Sequence, residues 1–217
     1  MSRKSSVRPR QRRLKPDVRR QLLVDATLKC LAKYGPQGTG VRQVSRELKV
    51  APSLINYFFE GRKELLTSAY HRLAERFMEE LREIIDREHP TAHDRLRTII
   101  EWYFSPEWRD DEVVGAYLAL WALSRTELDL NEAFSRFHAE RKELLTRVLD
   151  DVARERGASV DSDLLASCML IFLDGLWLEL SLNPSSSLGE RALEMSWAWL
   201  DGFLVKPGSK RKRISGR

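Results

Sequence analysis

The chain has 217 residues, of which 42% are hydrophobic and 32% charged, with a formal net charge of +5. That is enough apolar material for a buried core and suits a surface built from helices. No uninterrupted apolar run approaches the roughly 18 residues that cross a bilayer, and the basic N-terminus lacks the apolar stretch of a signal peptide, so no membrane partner and a cytoplasmic location are expected.

The two cysteines, Cys30 and Cys168, have no CxxC neighbour and no histidine cluster, which argues against a disulfide or zinc site and makes both small core residues. The modest net charge hides a strong asymmetry. Residues 1–63 carry 16 Lys/Arg against Asp17, Asp25, Glu47 and Glu60, a net of +12. Residues 64–205 carry 15 Lys/Arg against 28 Asp/Glu, a net of −13, and the tail from Lys206 adds six basic residues and no acid. A basic segment beside an acidic one is the electrostatic footprint of a protein that meets a polyanion with one end only.

Taken in chain order, residues 1–16 are Arg/Lys/Ser/Pro-rich without periodicity and read as a disordered arm. Leu23, Ala26, Cys30, Leu31 and Tyr34 recur at helical spacing as the buried face of a first helix, ended by Gly35-Pro36. The stretch Gly35–Gly40 reads as a loop. Val41, Val44 and Leu48 mark a short second helix. Lys49-Val50-Ala51 is a break, and Pro52 opens a third helix at a position where its missing N–H costs nothing. Two such helices joined by a short turn form a helix-turn-helix. A long helix follows from about Arg62 to Glu88, closed by Pro90. Further helices are expected over about 92–104, 106–113, 116–127, 131–156, 161–182 and 188–205, with Gly157 stopping one and Asp161 or Ser162 capping the next. Asn183-Pro184-Ser185-Ser186-Ser187 is a loop, and the tail 206–217 reads as disordered. No period-two alternation predicts a strand. The expected fold is all-α: about ten helices, divided into a DNA-binding domain over 17–63 and a ligand-binding and dimerisation domain over 64–205.

Residues 18–66 resemble the DNA-binding domain of the TetR family. The resemblance rests on Tyr34-Gly35, then Val41-Arg42-Gln43-Val44-Ser45, then Val50-Ala51-Pro52-Ser53-Leu54-Ile55-Asn56-Tyr57-Phe58-Phe59, then Arg62-Lys63-Glu64-Leu65-Leu66. Downstream, Trp121, Phe137-His138-Ala139-Glu140-Arg141 and Leu173-Asp174-Gly175-Leu176-Trp177-Leu178 are similar to the regulatory domains of the BetI group, choline-responsive repressors within that family. The chain departs from the family pattern at four places. Gly40 stands where threonine is usual. Lys49 stands where glycine is usual and so has to adopt a left-handed conformation. Ala51 replaces a serine cap, and Phe58 replaces a tyrosine whose role Tyr57 would take over.

The third helix should present short polar groups to base edges. Pro52, Ser53, Asn56 and Tyr57 are the expected base contacts: Asn56 can pair bidentately with adenine, and Leu54 can meet a thymine methyl. Ile55 and Phe59 belong to the core. Arg42, Tyr57, Arg62 and Lys63 are the phosphate candidates, setting register and salt dependence. The arm cations Arg3, Lys4, Arg8, Arg10, Arg12, Arg13 and Lys15 suit either the minor groove or plain backbone attraction.

The second half is rich in aromatics. Trp102, Tyr103, Trp108, Tyr117, Trp121, Phe137, Phe172 and Trp177 suit either an ordinary core or a ligand pocket. Aromatic faces bind quaternary ammonium groups, helped by a carboxylate such as Glu101; a hydrophobic effector fits the same lining. No catalytic motif, metal site or cofactor fingerprint is present, so the chain is read as no enzyme. The partners expected are a double-stranded operator, a small-molecule effector and a second copy of the chain. Leu144, Leu145, Val148, Leu165, Cys168, Phe172, Gly175 and Leu176 are the candidates for that homodimer interface. The family resemblance implies a four-helix bundle there and a pseudo-palindromic operator released on ligand binding. The rival readings are a regulator of a different effector class and a helical interaction protein without DNA.

Overall fold

The computed structural model describes residues 15–183 and 188–204; the expected arm up to Leu14, the loop residues 184–187 and the tail lie outside them. Among the described residues the fold is all-helical, in nine helices: α1 Pro16–Gly38, α2 Val41–Leu48, α3 Pro52–Phe58, α4 Arg62–Asp86, α5 Ala92–Tyr103, α6 Asp111–Ser124, α7 Leu128–Arg156, α8 Ser162–Leu182 and α9 Leu188–Asp201. The short sixth helix expected over 106–113 does not form. Residues 104–110 are turns, and the helix begins at Asp111, where the Asp110 carboxylate accepts from the Glu112 N–H at 2.9 Å.

Local chemistry sets the other boundaries. Gly35 does break the first helix, with φ 66° and ψ −177°, but Pro36–Gly38 add one more helical turn beyond the kink, where a loop was expected. Tyr34, expected on the buried face, is 39% exposed. Lys49 takes the left-handed conformation, φ 55° and ψ 42°, and its N–H closes the end of α2 on the Arg46 and Ser45 carbonyls. Asp161 caps α8 through the Leu164 N–H at 3.0 Å. Gly157 ends α7 in the left-handed region.

The helix-turn-helix is not an isolated bead. α1 packs along α6, and the two helices approach so closely at Gly115 that a Cβ there would lie 3.0 Å from the Ala32 Cα. α1, α2 and α3 enclose a small core of Leu23, Leu31, Val44, Ile55 and Phe59, and α4 contributes Leu65, Leu66 and Ala69. Below it, α4–α8 surround a larger core, α8 lying along α7 and α9 covering α8 and α5.

α8 also has the length and mean hydropathy of a membrane span, although only 39% of its apolar window is buried. A search for uninterrupted runs misses it, because Ser167 and Asp174 break the run without lowering the average enough. Its inner residues Leu165, Met169, Leu173, Leu176 and Leu180 are buried, whereas Leu164, Ile171 and Leu182 are 60–69% exposed.

Candidate functional site

The first candidate surface is α3. Its core side is fixed by Ile55 and Phe59, which are 0% and 2% exposed. With Ile55 pinned inward, the 3.6-residue period turns Ser53, Asn56 and Tyr57 outward, and Pro52 stands at the open first position of the helix. All four are exposed, Tyr57 at 81%. The structure therefore brings the four expected base contacts onto one free face. No side chain caps the helix at Ala51, which leaves its first N–H groups to other acceptors. Arg42 on α2 is exposed, as are Arg46 and Lys49.

Two of the expected phosphate contacts are engaged elsewhere. Arg62 turns inward: its Nε donates to the Thr39 carbonyl at 2.9 Å and its Nη2 to the Pro36 carbonyl at 2.6 Å. It closes the C-terminal end of α1, where a cation is favoured by the helix dipole. Lys63 pairs with Asp129 at the start of α7 at 2.9 Å, both side chains being half-exposed. That hydrogen bond holds the Lys63 ammonium above the ordinary lysine range. Arg20, not singled out from the sequence, binds Ser68 at 3.0 Å and lies 4.7 Å over the Phe59 ring, so it ties α1 to α4 behind the exposed face.

The second candidate site is a cavity of about 150 Å³ inside the larger core. α4 supplies Tyr70, Leu73, Ala74 and Phe77; α6 supplies Val113, Tyr117, Leu118 and Trp121; α8 supplies Asp174, Trp177 and Leu178; Tyr103, Trp108, Phe137 and Arg141 complete the wall. Six of the nine residues expected from the sequence are there: Tyr103, Trp108, Tyr117, Trp121, Phe137 and Trp177.

The other three are displaced for simple reasons of register. Glu101 is exposed on the outside of α5, because Leu96, Ile100 and Tyr103 occupy the inner face. Trp102 lies behind the wall and donates its indole N–H to Glu80 at 2.8 Å. Phe172 faces α9, stacked on Trp199 at 5.4 Å.

The sequence reading missed the polar centre of the cavity. Arg141 is 3% exposed; its Nη2 donates to the Tyr103 hydroxyl at 2.9 Å and to Asp174 Oδ1 at 2.7 Å, and the Tyr103 hydroxyl also donates to Asp174. The guanidinium lies 5.0–5.7 Å from the ring centres of Phe77, Phe137 and Tyr103. Burial alone would lower the Arg141 pKa, but Tyr103 and Asp174 outweigh it and hold the group above the ordinary arginine value. A signal was present. Leu130, Phe134, Phe137, Arg141, Leu145, Val148 and Val152 share one face of α7 at helical spacing, so Arg141 stands in an apolar stripe where a solvated cation does not belong.

Glu80 on α4 is a second organising carboxylate. Its Oε2 accepts the indole N–H of both Trp102 and Trp108, at 2.8 and 3.0 Å, and its Oε1 binds Arg76 at 2.9 Å. Burial would raise its pKa, but the hydrogen bonds from Trp102, Arg76 and Trp108 hold it below the usual carboxylate range. The Trp108 carbonyl in turn accepts from the Trp177 indole at 2.8 Å. A chain of contacts thus joins α4, the 104–110 segment and α8 around the cavity.

The expected interface residues divide in the same way. Leu145, Val148, Leu165 and Leu176 are 1–7% exposed, packed within the single chain, and Phe172 stacks on Trp199. Leu144 is half-buried. Among the described residues, the outward face of α8 runs through Leu164, Cys168, Ile171, Gly175 and Leu182, and Cys168 and Gly175 are the members of the expected set on it.

Comparison with known proteins bears on both sites. The profile of the bacterial regulatory proteins of the tetR family matches residues 23–69, and that of the BetI-type transcriptional repressor C-terminal domain matches residues 92–205. The HTH-type transcriptional regulator BetI of Vibrio campbellii is 26% identical over 194 residues, covering 88% of this chain and 94% of its own. A solved structure of a transcriptional regulator from Pseudomonas aeruginosa PAO1 is 36% identical, with a TM-score of 0.82 over 88% of this chain and 93% of that one. A Saccharomonospora viridis regulator solved in complex with choline shares the fold, with a TM-score of 0.68 at 18% identity over 85% of this chain and 96% of its own.

Proposed function

The chain belongs to the TetR family of transcriptional regulators, with a BetI-type C-terminal domain, and on that premise we propose that it is a ligand-released repressor, acting as a homodimer on a pseudo-palindromic operator. It is a DNA-binding regulator, not an enzyme. The single observation that carries the proposed mechanism is the course of α4. That helix starts beside the reading head, where Arg62 closes α1, and about two to four turns later it lines the cavity with Tyr70, Leu73, Ala74 and Phe77.

In this reading Ser53 and Asn56 read base edges, and Arg42 and Tyr57 hold phosphates. Lys63 reaches phosphate only by giving up Asp129. Arg62 keeps its place at the end of α1. The head domain spans about 17–63 and the effector and dimerisation domain 64–205. The chain works in the cytoplasm, where its operator is.

A second copy of the chain covers the Leu164–Ile171–Leu182 face of α8. A contiguous apolar face of that kind is what a two-fold partner buries. Two heads then meet successive major-groove half-sites, about 34–36 Å apart. A ligand that packs better against one orientation of α4 shifts the population toward it and moves the heads off that spacing. α6 gives the cavity a second route to the head, since it lines the cavity with Tyr117 and Trp121 and supports α1 at Gly115.

The effector class this lining suits is a quaternary ammonium compound of the choline type. Trp108, Tyr117, Trp121 and Trp177 offer π faces, and Asp174, paired with Arg141, stands among them. The name of the Vibrio relative and the choline bound to the Saccharomonospora regulator favour the same class.

The test is binding to a duplex selected by the protein from a random-sequence pool, at moderate salt. The reading expects one enriched two-fold motif bound by two chains. Enrichment of no motif would contradict it.

A further inference from the structure

Two buried polar groups at the cavity have no partner among the described residues. Tyr70 is 0% exposed and its hydroxyl makes no hydrogen bond. Arg141 uses Nη2 on Asp174 and Tyr103, but its Nε–H is unpaired although the side chain is 4% exposed. Both residues line the cavity. An unpaired buried donor is costly, so two at one cavity mark where a ligand group is received. That group must be an acceptor, because a guanidinium only donates.

Charge points the same way. The charged side chains lining the cavity are Arg141 and Asp174, one of each sign, paired at 2.7 Å. The phenols add no charge: burial pushes the Tyr117 hydroxyl up to about 12 and that of Tyr103 well above its ordinary value. Glu80, behind Trp102 and Trp108, is matched by Arg76. The charges of the lining therefore cancel. A simple cation placed among the aromatic rings would leave a net positive charge next to a buried guanidinium, where little solvent screens it. A ligand bringing its own carboxylate would leave the site neutral and supply the missing acceptor. The cationic end has its place at the mouth, where Trp121 is 52% exposed and the Asp174 side chain 41%.

We propose that this pocket is built for a compact zwitterion, an onium head joined through a short linker to a carboxylate. The carboxylate seats on the Arg141 Nε–H and the Tyr70 hydroxyl, and the onium lies among Trp121, Tyr117 and Trp177. The proposal rests on the quaternary ammonium reading above and narrows it.

Calorimetric titration of the full-length protein with glycine betaine, choline and tetramethylammonium tests it, repeated on Tyr70→Phe. That substitution deletes a hydroxyl without a partner in the empty pocket, so folding should be kept. Glycine betaine is expected to bind on the order of tenfold tighter than choline or tetramethylammonium, as a charge-assisted contact allows. Tyr70→Phe should narrow the gap between glycine betaine and tetramethylammonium by about three- to tenfold. Choline binding as tightly as glycine betaine overturns the zwitterion and leaves the quaternary ammonium class standing. Failure of all three with a protein that still binds its operator overturns that class and the zwitterion together.

Discussion

Replacing Glu80 by Ala tests the physical construction of the pocket. The side chain accepts three hydrogen bonds, two of them from indole N–H groups that share Oε2. Trp108 is 6% exposed, so its N–H loses its partner where water does not readily replace it, at a cost of about 1–3 kcal/mol. Trp102 is half-buried and lies at the lower end of that range. The Arg76 contact, with side chains 41% and 33% exposed, adds little. The sum is roughly 2–4 kcal/mol, which at about 2–4 °C per kcal/mol for a chain of this size lowers Tm by about 10 °C. Urea titration at fixed protein concentration measures it. The sign of the pH dependence follows from the lowered Glu80 pKa. Its contribution is fully present above the unfolded carboxylate value of about 4.3 and is lost as pH falls through the folded value. The difference between the parent and Glu80→Ala should therefore shrink on acidification below about pH 4. A loss under about 1 kcal/mol at neutral pH would refute the reasoning, since it would mean that the two indoles do not depend on this carboxylate.

Other predictions follow from the head and the surfaces. Asn56→Ala should cost about 1–3 kcal/mol on the selected operator and relax preference at one base pair, read by competition with single-base variants. Arg62→Met should lower the stability of the head, seen as faster amide exchange in α1 and α2, while leaving the salt slope of DNA binding largely unchanged, because its guanidinium serves Thr39 and Pro36. Lys49→Gly should stabilise by about 1 kcal/mol, since it relieves the left-handed strain at φ 55°, and chemical denaturation will show it. Ile171→Glu puts a charge on the free face of α8, 69% exposed in the single chain, and should shift sedimentation to monomer without unfolding it.

How much of this was legible in the sequence depended on whether position along the chain implies position in space. Within the short recognition helix it does: once Ile55 and Phe59 are taken as core, the outward placement of Ser53, Asn56 and Tyr57 follows from the helical period alone. Lys49 was legible through the family resemblance, because the glycine usual at that position implies a left-handed residue. Glu101 was not, since its neighbours Trp102 and Tyr103 lie on other faces of α5 and sequence adjacency says nothing about a shared face. The expected interface residues lie mostly on the packed sides of α7 and α8. α8 is apolar nearly all round, so its sequence alone does not tell which side packs on α7 and α9 and which is left free. Arg141 was missed for the opposite reason: it stands in a helix rich in Arg and Glu, where one more cation draws no notice, although its register placed it between Phe137 and Leu145. The close approach of α1 and α6 at Gly115 depends on a contact between distant segments, which no local pattern announces.

The central claim is that pocket and reading head are coupled through α4. Fluorescence anisotropy of a labelled operator measures it most directly, with the protein titrated in the absence and presence of saturating ligand. The measurement is completed by the reciprocal experiment, ligand affinity with and without operator. The account predicts a loss of operator affinity of about 5–150-fold on ligand binding, with ligand affinity weakened by the same factor when operator is bound. Ligand that binds the pocket and leaves operator affinity unchanged would contradict it.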